Sequence, residues 1–295
     1  GAGPGLLVLN GIFNPAVYGL AQVARRLRLP YVMAPHGSYE PAVFRRKPYL
    51  KWPYWFLFER GALRRAAGLQ VLDARHREWA RRRGVRAPIV EVPNGLFPGD
   101  RCPEELLRWR REGAMRVLYW GRMHVQHKGL DLLLHAAARL ARGGVPLEVT
   151  LQGPDWHGER RRVQELASRL RLGPVVRVLR EDFTTPPSRV MAEYDVVCMP
   201  SRYEGFGLTA VEAMVAGRPL LVTERAGVAP HVRRAGAGVV VDPDAGAVAR
   251  GLEELLVRRP AWPAMGRRGR DYTLRHLDWN VIARGALRDY AALVS

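Results

Sequence analysis

Residues 195–214 read DVVCMPSRYEGFGLTAVEAM. Three parts follow one another without a break. DVVCMP is a short, continuously apolar run, the pattern of a strand buried on both faces. SRYEGFG is a polar turn carrying two glycines. LTAVEAM, continued by VAG to 217, has helical spacing, with Leu208, Val211 and Val215 expected to form its apolar stripe and Glu212 to lie off it. A buried strand that turns directly into a helix is one βα unit of a parallel sheet.

The same rhythm extends outward on both sides. Apolar runs at 116–120, 147–153, 175–179, 195–200, 219–223 and 238–242 each precede a helical stretch, at 129–144, 159–172, 186–194, 208–217, 229–236 and 245–259. Six such units make a doubly wound α/β domain with helices on both faces of a parallel sheet. The first half has the same character: strands are predicted at 6–9, 31–37, 68–73 and 88–95, with helices at 16–27 and 74–84 and a long helical stretch after His36. Four short strands are few for such a domain and the chain opens abruptly on one of them. Leading βα units are therefore expected to be missing and the first domain incomplete. The domain expectation is 1–98, a linker with a short helix at 99–115, a second domain at 116–276, and a C-terminal helix at 277–295 packing back toward the first.

Composition narrows the functional classes. With 295 residues and 47% hydrophobic content the chain can build two cores. It holds no apolar run long enough to span a membrane. Two cysteines, Cys102 and Cys198, make no disulfide framework and suit a reducing cytoplasm. The formal charge of +19 invites a nucleic-acid reading. Only three of the 47 basic residues are lysine, however, and the arginines are spread along the whole chain. A general arginine bias explains that spread, so no nucleic-acid partner is expected. One of the three lysines is Lys128, in a place of interest.

Ligands of open parallel sheets bind beyond the carboxyl ends of the strands. YWGRMHVQHKGLDLLL places Arg122 and Lys128 after the strand at 116–120, Lys128 just before a helix. A helix N-terminus with two cations beside it suits a phosphate group, although the spacing is also that of two solvated bases in a loop. In SRYEGFG the glycines allow close backbone approach, and the amides of Phe206, Gly207 and Leu208 can donate to anionic oxygens. Two carboxylates around an anion site, Glu204 and Glu212, suit a polyhydroxylated phosphate ester, Glu204 taking sugar hydroxyls and Glu212 those of a ribose. APHGSYEP ends a strand of the first half at His36, which reads either as a ligand-facing or as a structural histidine. Asp242-Pro243-Asp244 matches a metal-binding Asp-x-Asp pattern but reads as a turn and helix start, so no metal site is expected.

Together, GRMHVQHKGLDLLL, PSRYEGFGLTAVEAM with its paired glutamates, APHGSYEP, VPNG and GAGVVVDPD resemble the retaining glycosyltransferases built from two facing Rossmann-like domains, the GT-B type, family 4. The resemblance implies that Arg122 and Lys128 hold the diphosphate of a UDP- or GDP-sugar, the donor substrate, and stabilise the leaving group. Glu212 would bind the ribose, Glu204 the transferred sugar, and Gly121 with Phe206, Gly207 and Leu208 would belong to the nucleotide site. His36 would face the donor sugar, and the base would lie near 179–183. No cofactor or metal is implied. The family's Gly-rich loop after its first strand is not visible. Arg180, Pro230 and His231 stand where the family commonly has other residue types.

The implied acceptor is a glycan or a lipid-linked one, in cell-surface polysaccharide assembly (lipopolysaccharide, capsule or exopolysaccharide). Residues 44–65 carry seven basic residues, one acid and seven aromatics, a composition that suits peripheral contact with anionic membrane at the inner face of the plasma membrane. A buried helix with a basic edge has the same composition. Two other functions fit the same architecture: a sugar-nucleotide epimerase, and a non-catalytic nucleotide-sugar-binding homologue.

Overall fold

The computed structural model describes residues 5–39, 41–45 and 47–294. Two compact units emerge, Gly1–Asn94 with Asn280–Ser295, and Gly95–Trp279.

The first unit is a four-stranded parallel sheet of β1 (Leu7–Asn10), β2 (Tyr31–Ala34), β3 (Gly68–Val71) and β4 (Ile89–Glu91), in that order. Helix α1 (Pro15–Arg26) starts where Asn14 Oδ1 accepts the Ala16 N–H at 2.9 Å and Pro15 supplies a preset φ. The stretch after His36 is helical in pieces: α2 (Pro41–Arg45), α3 (Pro48–Tyr54), a π-helical turn (Trp55–Glu59) and α4 (Arg60–Arg65). Pro53 lies inside α3 and has no N–H to continue its ladder, and the π turn follows directly. Trp55, Phe44, Tyr39 and Trp79 form an aromatic core here, Tyr39 stacking on Trp79 at 4.7 Å. Helix α5 (Ala74–Arg82) is capped by Asp73, whose Oδ1 accepts the N–H groups of Arg75 and His76.

The second unit is the full six-stranded sheet expected from the periodicity. Its strands are β5 (Met115–Trp120), β6 (Leu147–Gln152), β7 (Val176–Leu179), β8 (Val196–Met199), β9 (Leu220–Thr223) and β10 (Gly238–Val241). All pairs are parallel, in the order β10-β9-β8-β5-β6-β7. The order reverses between β5 and β8, so the loops leaving those two strands open apart and leave a crevice. Around the sheet pack α6 (Val125–Lys128), α7 (Leu130–Arg142), α8 (Glu159–Arg169), α9 (Pro187–Ala192), α10 (Leu208–Val215), α11 (Ala229–Ala235), α12 (Ala245–Val257) and α13 (Trp262–His276). Leu133, Leu134 and Leu140 of α7 are buried in the core of this unit, each worth roughly 1.5–3 kcal/mol of transfer free energy. Asp244 caps α12 by accepting the Ala247 N–H at 2.9 Å, the helix-start role expected of the Asp-Pro-Asp stretch. Helix α14 (Trp279–Ala291) begins at the unit boundary; from Asn280 onward the chain belongs to the first unit, where Tyr290 bonds Gln70 and Leu293 packs over Gly68.

Two expectations are corrected. The segment 99–115 contains no α-helix, only 3-10 turns at Pro98–Asp100 and Glu104–Leu106, and it lies within the second unit. Its side chains explain why. Trp109 donates its indole N–H to the Gly217 carbonyl at 2.8 Å, while the buried Arg218 donates to the Arg108 carbonyl at 2.7 Å. Arg270 donates to the Cys102 carbonyl, and Ser188 to that of Asp100. These bonds use backbone carbonyls of Asp100, Cys102 and Arg108 that a continuous helix would engage in its own ladder to the N–H four residues on. Second, Leu208 is exposed and does not share a stripe with Val211 and Val215. It is the first residue of α10, where a side chain projects past the end of the packed face. The buried set of α10 is Ala210, Val211, Ala213, Met214 and Val215, so the helix is enclosed on most sides.

Candidate active site

The crevice between β5 and β8 gathers most of the residues singled out above. β5 ends at Trp120, and Gly121 and Arg122 follow. The chain then makes one helical turn, α6, capped by His124. That turn is absent from the sequence expectation, which has a loop from Gly121 to Lys128. Lys128 ends α6, and Gly129 joins it to α7 with φ +66°. A Cβ on Gly129 would lie 2.0 Å from the Pro200 carbonyl oxygen at the end of β8. The glycine is what lets the helix start press directly on the neighbouring strand end.

Lys128 and Glu204 meet. The Lys128 ammonium donates to Glu204 Oε2 in a half-buried ion pair across the crevice. Glu204 is held by backbone as well, its N–H donating to the Arg225 carbonyl at 3.1 Å. Arg122 is treated differently: its guanidinium lies 4.8 Å from the Trp156 ring centroid and no carboxylate bonds it among the described residues. A cation on an aromatic face keeps its full charge for an anion.

From β8 the chain passes through Ser201 to Gly207. Gly207 adopts φ +106°, and a Cβ there would lie 2.8 Å from the end of Met199. Phe206 is buried with its ring 5.5 Å from that of His231. The N–H groups of Phe206, Gly207 and Leu208 meet no acceptor among the described residues, as expected at the start of α10. One turn further, Glu212 is half-buried and its carboxylate makes no hydrogen bond among the described residues. Burial, and then the nearby Asp100 carboxylate, push its pKa up to about 7.

Beside these lies a cavity of about 370 Å³ at the carboxyl ends of β5, β6 and β7. Trp120, Gly121, Gly153 and Pro154 form one wall, residues 181–187 another, and Asp100 closes it. The 181–187 wall is preorganised: Asp182 Oδ1 accepts from the Thr184 N–H, the Thr184 hydroxyl and the Thr185 N–H, and Glu181 is bonded by Arg160 at 2.7 Å. Asp100, Trp156 and the threonines escaped the sequence reading. Asp100 fell in the segment assigned to a linker, and nothing in the one-dimensional pattern marks the others.

His36 belongs to the first unit. It follows β2, is exposed, has φ +46°, and bonds Asn10 at the end of β1 at 2.7 Å. Histidine is among the few residues that take this backbone region readily. Glu40 of the same stretch, and Arg46 of the basic stretch 44–65, lie outside the described residues. No group of three or more histidine, cysteine or acidic side chains suited to a metal occurs among the described residues.

Residues 114–258 match the family model described as glycosyl transferases group 1, and residues 1–95 match the glycosyl transferase 4-like domain. The chain belongs to the group 1, family 4 glycosyltransferases. Among relatives of this family, a D-inositol 3-phosphate glycosyltransferase of Geodermatophilus obscurus is 33% identical over 202 residues, 64% of this chain and 43% of that protein. A phosphatidyl-myo-inositol mannosyltransferase of Mycobacterium tuberculosis is 28% identical over 72% of this chain and 56% of its own length. The chain thus spans about half the length of these curated relatives. Among solved structures, sucrose-phosphate synthase from Thermosynechococcus elongatus superposes with a TM-score of 0.78 at 23% identity, covering 98% of this chain and 73% of that one. HepE of Anabaena in complex with UDP gives 0.80 at 19%, covering 97% and 79%. The fold is therefore that of the Rossmann-like GT-B glycosyltransferases.

Proposed function

We propose that the chain transfers a sugar, with retention of anomeric configuration and without a metal, from a UDP- or GDP-sugar to a glycan or lipid-linked acceptor in cell-surface polysaccharide assembly. The observation that carries this reading is the placement of one unbonded half-buried carboxylate, Glu212, and one carboxylate-free guanidinium, Arg122, around the switch-point crevice and its cavity. HepE of Anabaena, which shares the fold, was solved with UDP and with UDP-glucose, and the two relatives named above are a glycosyltransferase and a mannosyltransferase.

In this reading the base enters the cavity near 179–183 and the ribose hydroxyls donate to Glu212. The diphosphate lies between Arg122, Lys128 and the open N–H groups of Phe206 to Leu208, beside Gly121. On binding, Lys128 exchanges Glu204 for a phosphate oxygen. Glu204 then accepts hydroxyls of the transferred sugar. The bond between the anomeric carbon and the β-phosphate oxygen breaks with its electron pair on the diphosphate. The acceptor oxygen attacks the same face and its proton passes to the departing diphosphate. Fixed cations where that charge builds contribute on the order of 3 kcal/mol each to the transition state. The chemistry needs no carboxylate nucleophile at ~5 Å separation such as retaining hydrolases use.

The acceptor side is proposed to rest on anionic membrane through residues 44–65. Tyr49, Leu50, Phe56 and Leu57 of this stretch are exposed, as are Leu20 and Val23 on α1 and Leu27 just past its end, and Lys47, Lys51, Arg64 and Arg65 accompany them. Apolar side chains beside lysine and arginine suit the headgroup region of an anionic leaflet. No helix among the described residues is long and apolar enough to cross a membrane.

The test is turnover of UDP-glucose and GDP-mannose in the presence of EDTA, with extracted lipid and glycan acceptors. An α-linked product from one donor supports the reading. Acceptor-independent interconversion of the sugar would make the chain an epimerase, and a requirement for added metal would refute the mechanism.

A further inference from the structure

Three successive residues of the loop after β8 each grip the segment that carries Lys128. Arg202 is the first and makes the most bonds. Its Nη1 donates to Asp131 Oδ1 at 2.7 Å and its Nη2 to Asp131 Oδ2 at 2.6 Å. Nη1 also donates to the Gln126 carbonyl at 2.9 Å, and the Arg202 backbone N–H donates to the His127 carbonyl at 3.0 Å. Tyr203 is the second: its ring stacks on that of His127 at 4.0 Å and 20°. Glu204 is the third, in its pair with Lys128.

These contacts join two loops that leave different strands, β5 and β8, at the point where strand order reverses. The β5–β8 pairing ends lower, at Leu118 opposite Val197, and at this level one backbone bond, from the Arg202 N–H to the His127 carbonyl, joins the two loops among the described residues. The relative position of Lys128 and Glu204 therefore depends largely on side chains. A lysine head on a four-carbon stem is a flexible point charge, whereas an arginine fork on a carboxylate fixes both distance and orientation. Asp131 also lies in the first turn of α7, where the positive helix end favours it, and it orients the fork.

We infer that Arg202 is a positioning residue for the donor site, bolting the 201–207 loop to α6 and α7 so that Lys128 and Glu204 meet the ligand in one geometry. The inference rests on the nucleotide-sugar reading above. Arg202 itself touches no ligand in this role; it acts through Lys128. Its loss should then matter only while Lys128 is present.

The experiment is calorimetric titration of UDP and GDP into wild type, Arg202→Lys, Lys128→Ala and the double variant. Asp131→Asn is a second, shape-conserving way to open the fork, and circular dichroism and thermal unfolding establish that each variant is folded. Arg202→Lys and Asp131→Asn are expected to weaken nucleotide binding by roughly tenfold, one order in the equilibrium constant. In the Lys128→Ala background the same change should have less than about a twofold effect, the signature of coupled residues. A second readout is the imidazole resonance of His127. Burial, then the Lys128 charge, hold its pKa at about 4, and opening the bolt should move its titration in the folded protein up toward about 6.5. A purely structural bond would lower the melting temperature without moving that titration. Equal weakening in both backgrounds, or wild-type affinity in Arg202→Lys, overturns the inference while leaving the functional reading intact. A wild-type chain that binds neither nucleotide overturns both.

Discussion

Glu212 offers a test that needs no ligand. Its carboxyl has a pKa of about 7 in the folded protein, against an ordinary value of 4.5, because burial and then Asp100 disfavour the charged form. The sign follows from proton counting. Between pH 4.5 and 7 the folded chain keeps this proton and the unfolded chain has lost it. Unfolding then releases a proton, and stability falls as pH rises. Above about pH 7 both states are ionised and the loss is complete. A shift of this size corresponds to about 3 kcal/mol at 1.36 kcal/mol per unit, or about 2–3 kcal/mol after allowing for partial exposure. Glu212→Gln keeps the shape and removes the charge. It should match wild type near pH 4.5 and be more stable by about 2–3 kcal/mol at pH 8. Urea unfolding followed by tryptophan fluorescence at pH 4.5, 6, 7 and 8 measures this directly. Glu59, also lifted to about 7 by burial, is untouched by the substitution, so the difference between the two chains isolates Glu212. A pH-independent difference between Glu212→Gln and wild type would refute the burial argument. The same substitution should weaken nucleotide binding, which would make Glu212 a site kept at a cost to stability.

Three further outcomes are expected. Gly129→Ala drives a methyl into the Pro200 carbonyl and forces a positive φ on alanine, so it should destabilise the second unit by about 2–4 kcal/mol in thermal unfolding; a loss below 1 would contradict the close approach. Asp73, which burial alone would raise, is held at about 2 by His76 and then Arg75, so its contribution is present above pH 3.8 and lost as pH falls through 2. Asp73→Ala should cost about 1–2 kcal/mol at pH 7 through the lost cap of α5, with the difference from wild type vanishing in acid denaturation curves. Trp156→Ala removes the face on which Arg122 rests and should weaken nucleotide affinity by about 0.5–2 kcal/mol, read by calorimetry; unchanged affinity would separate Trp156 from the site.

Much of the second unit was legible because its strands are short and buried on both faces. DVVCMP, PLLVT and GVVVD are continuous apolar runs, and each sits within a residue or two of the strand it announces. The location of the site was legible for the same reason, since strand ends are where ligands of such sheets bind. What escaped depends on long-range partners. Lys128 and Glu204 lie 76 residues apart and pair only because β5 and β8 are neighbours at the strand-order reversal. The sequence reading assigned them to separate ligand groups. Segment 99–115 looked like a linker with a helix because EELLRWRR has good helix formers, yet Trp109 and Arg218 hold it extended against the second unit. Leu208 obeyed the helical spacing but stands at the helix end, where spacing does not report burial. The α6 turn is four residues long, too short for any periodicity to show.

The central claim is that the crevice between β5 and β8 holds a nucleoside diphosphate sugar. Calorimetric titration of UDP-glucose and GDP-mannose, with UDP and GDP alone, into wild type and Lys128→Ala tests it most directly. One base series should bind wild type in the micromolar range. Lys128→Ala should weaken that series by about 1–3 kcal/mol, the scale of one charged hydrogen bond. Binding that is equally tight in Lys128→Ala, or absent for every nucleotide in the wild-type chain, would contradict the account.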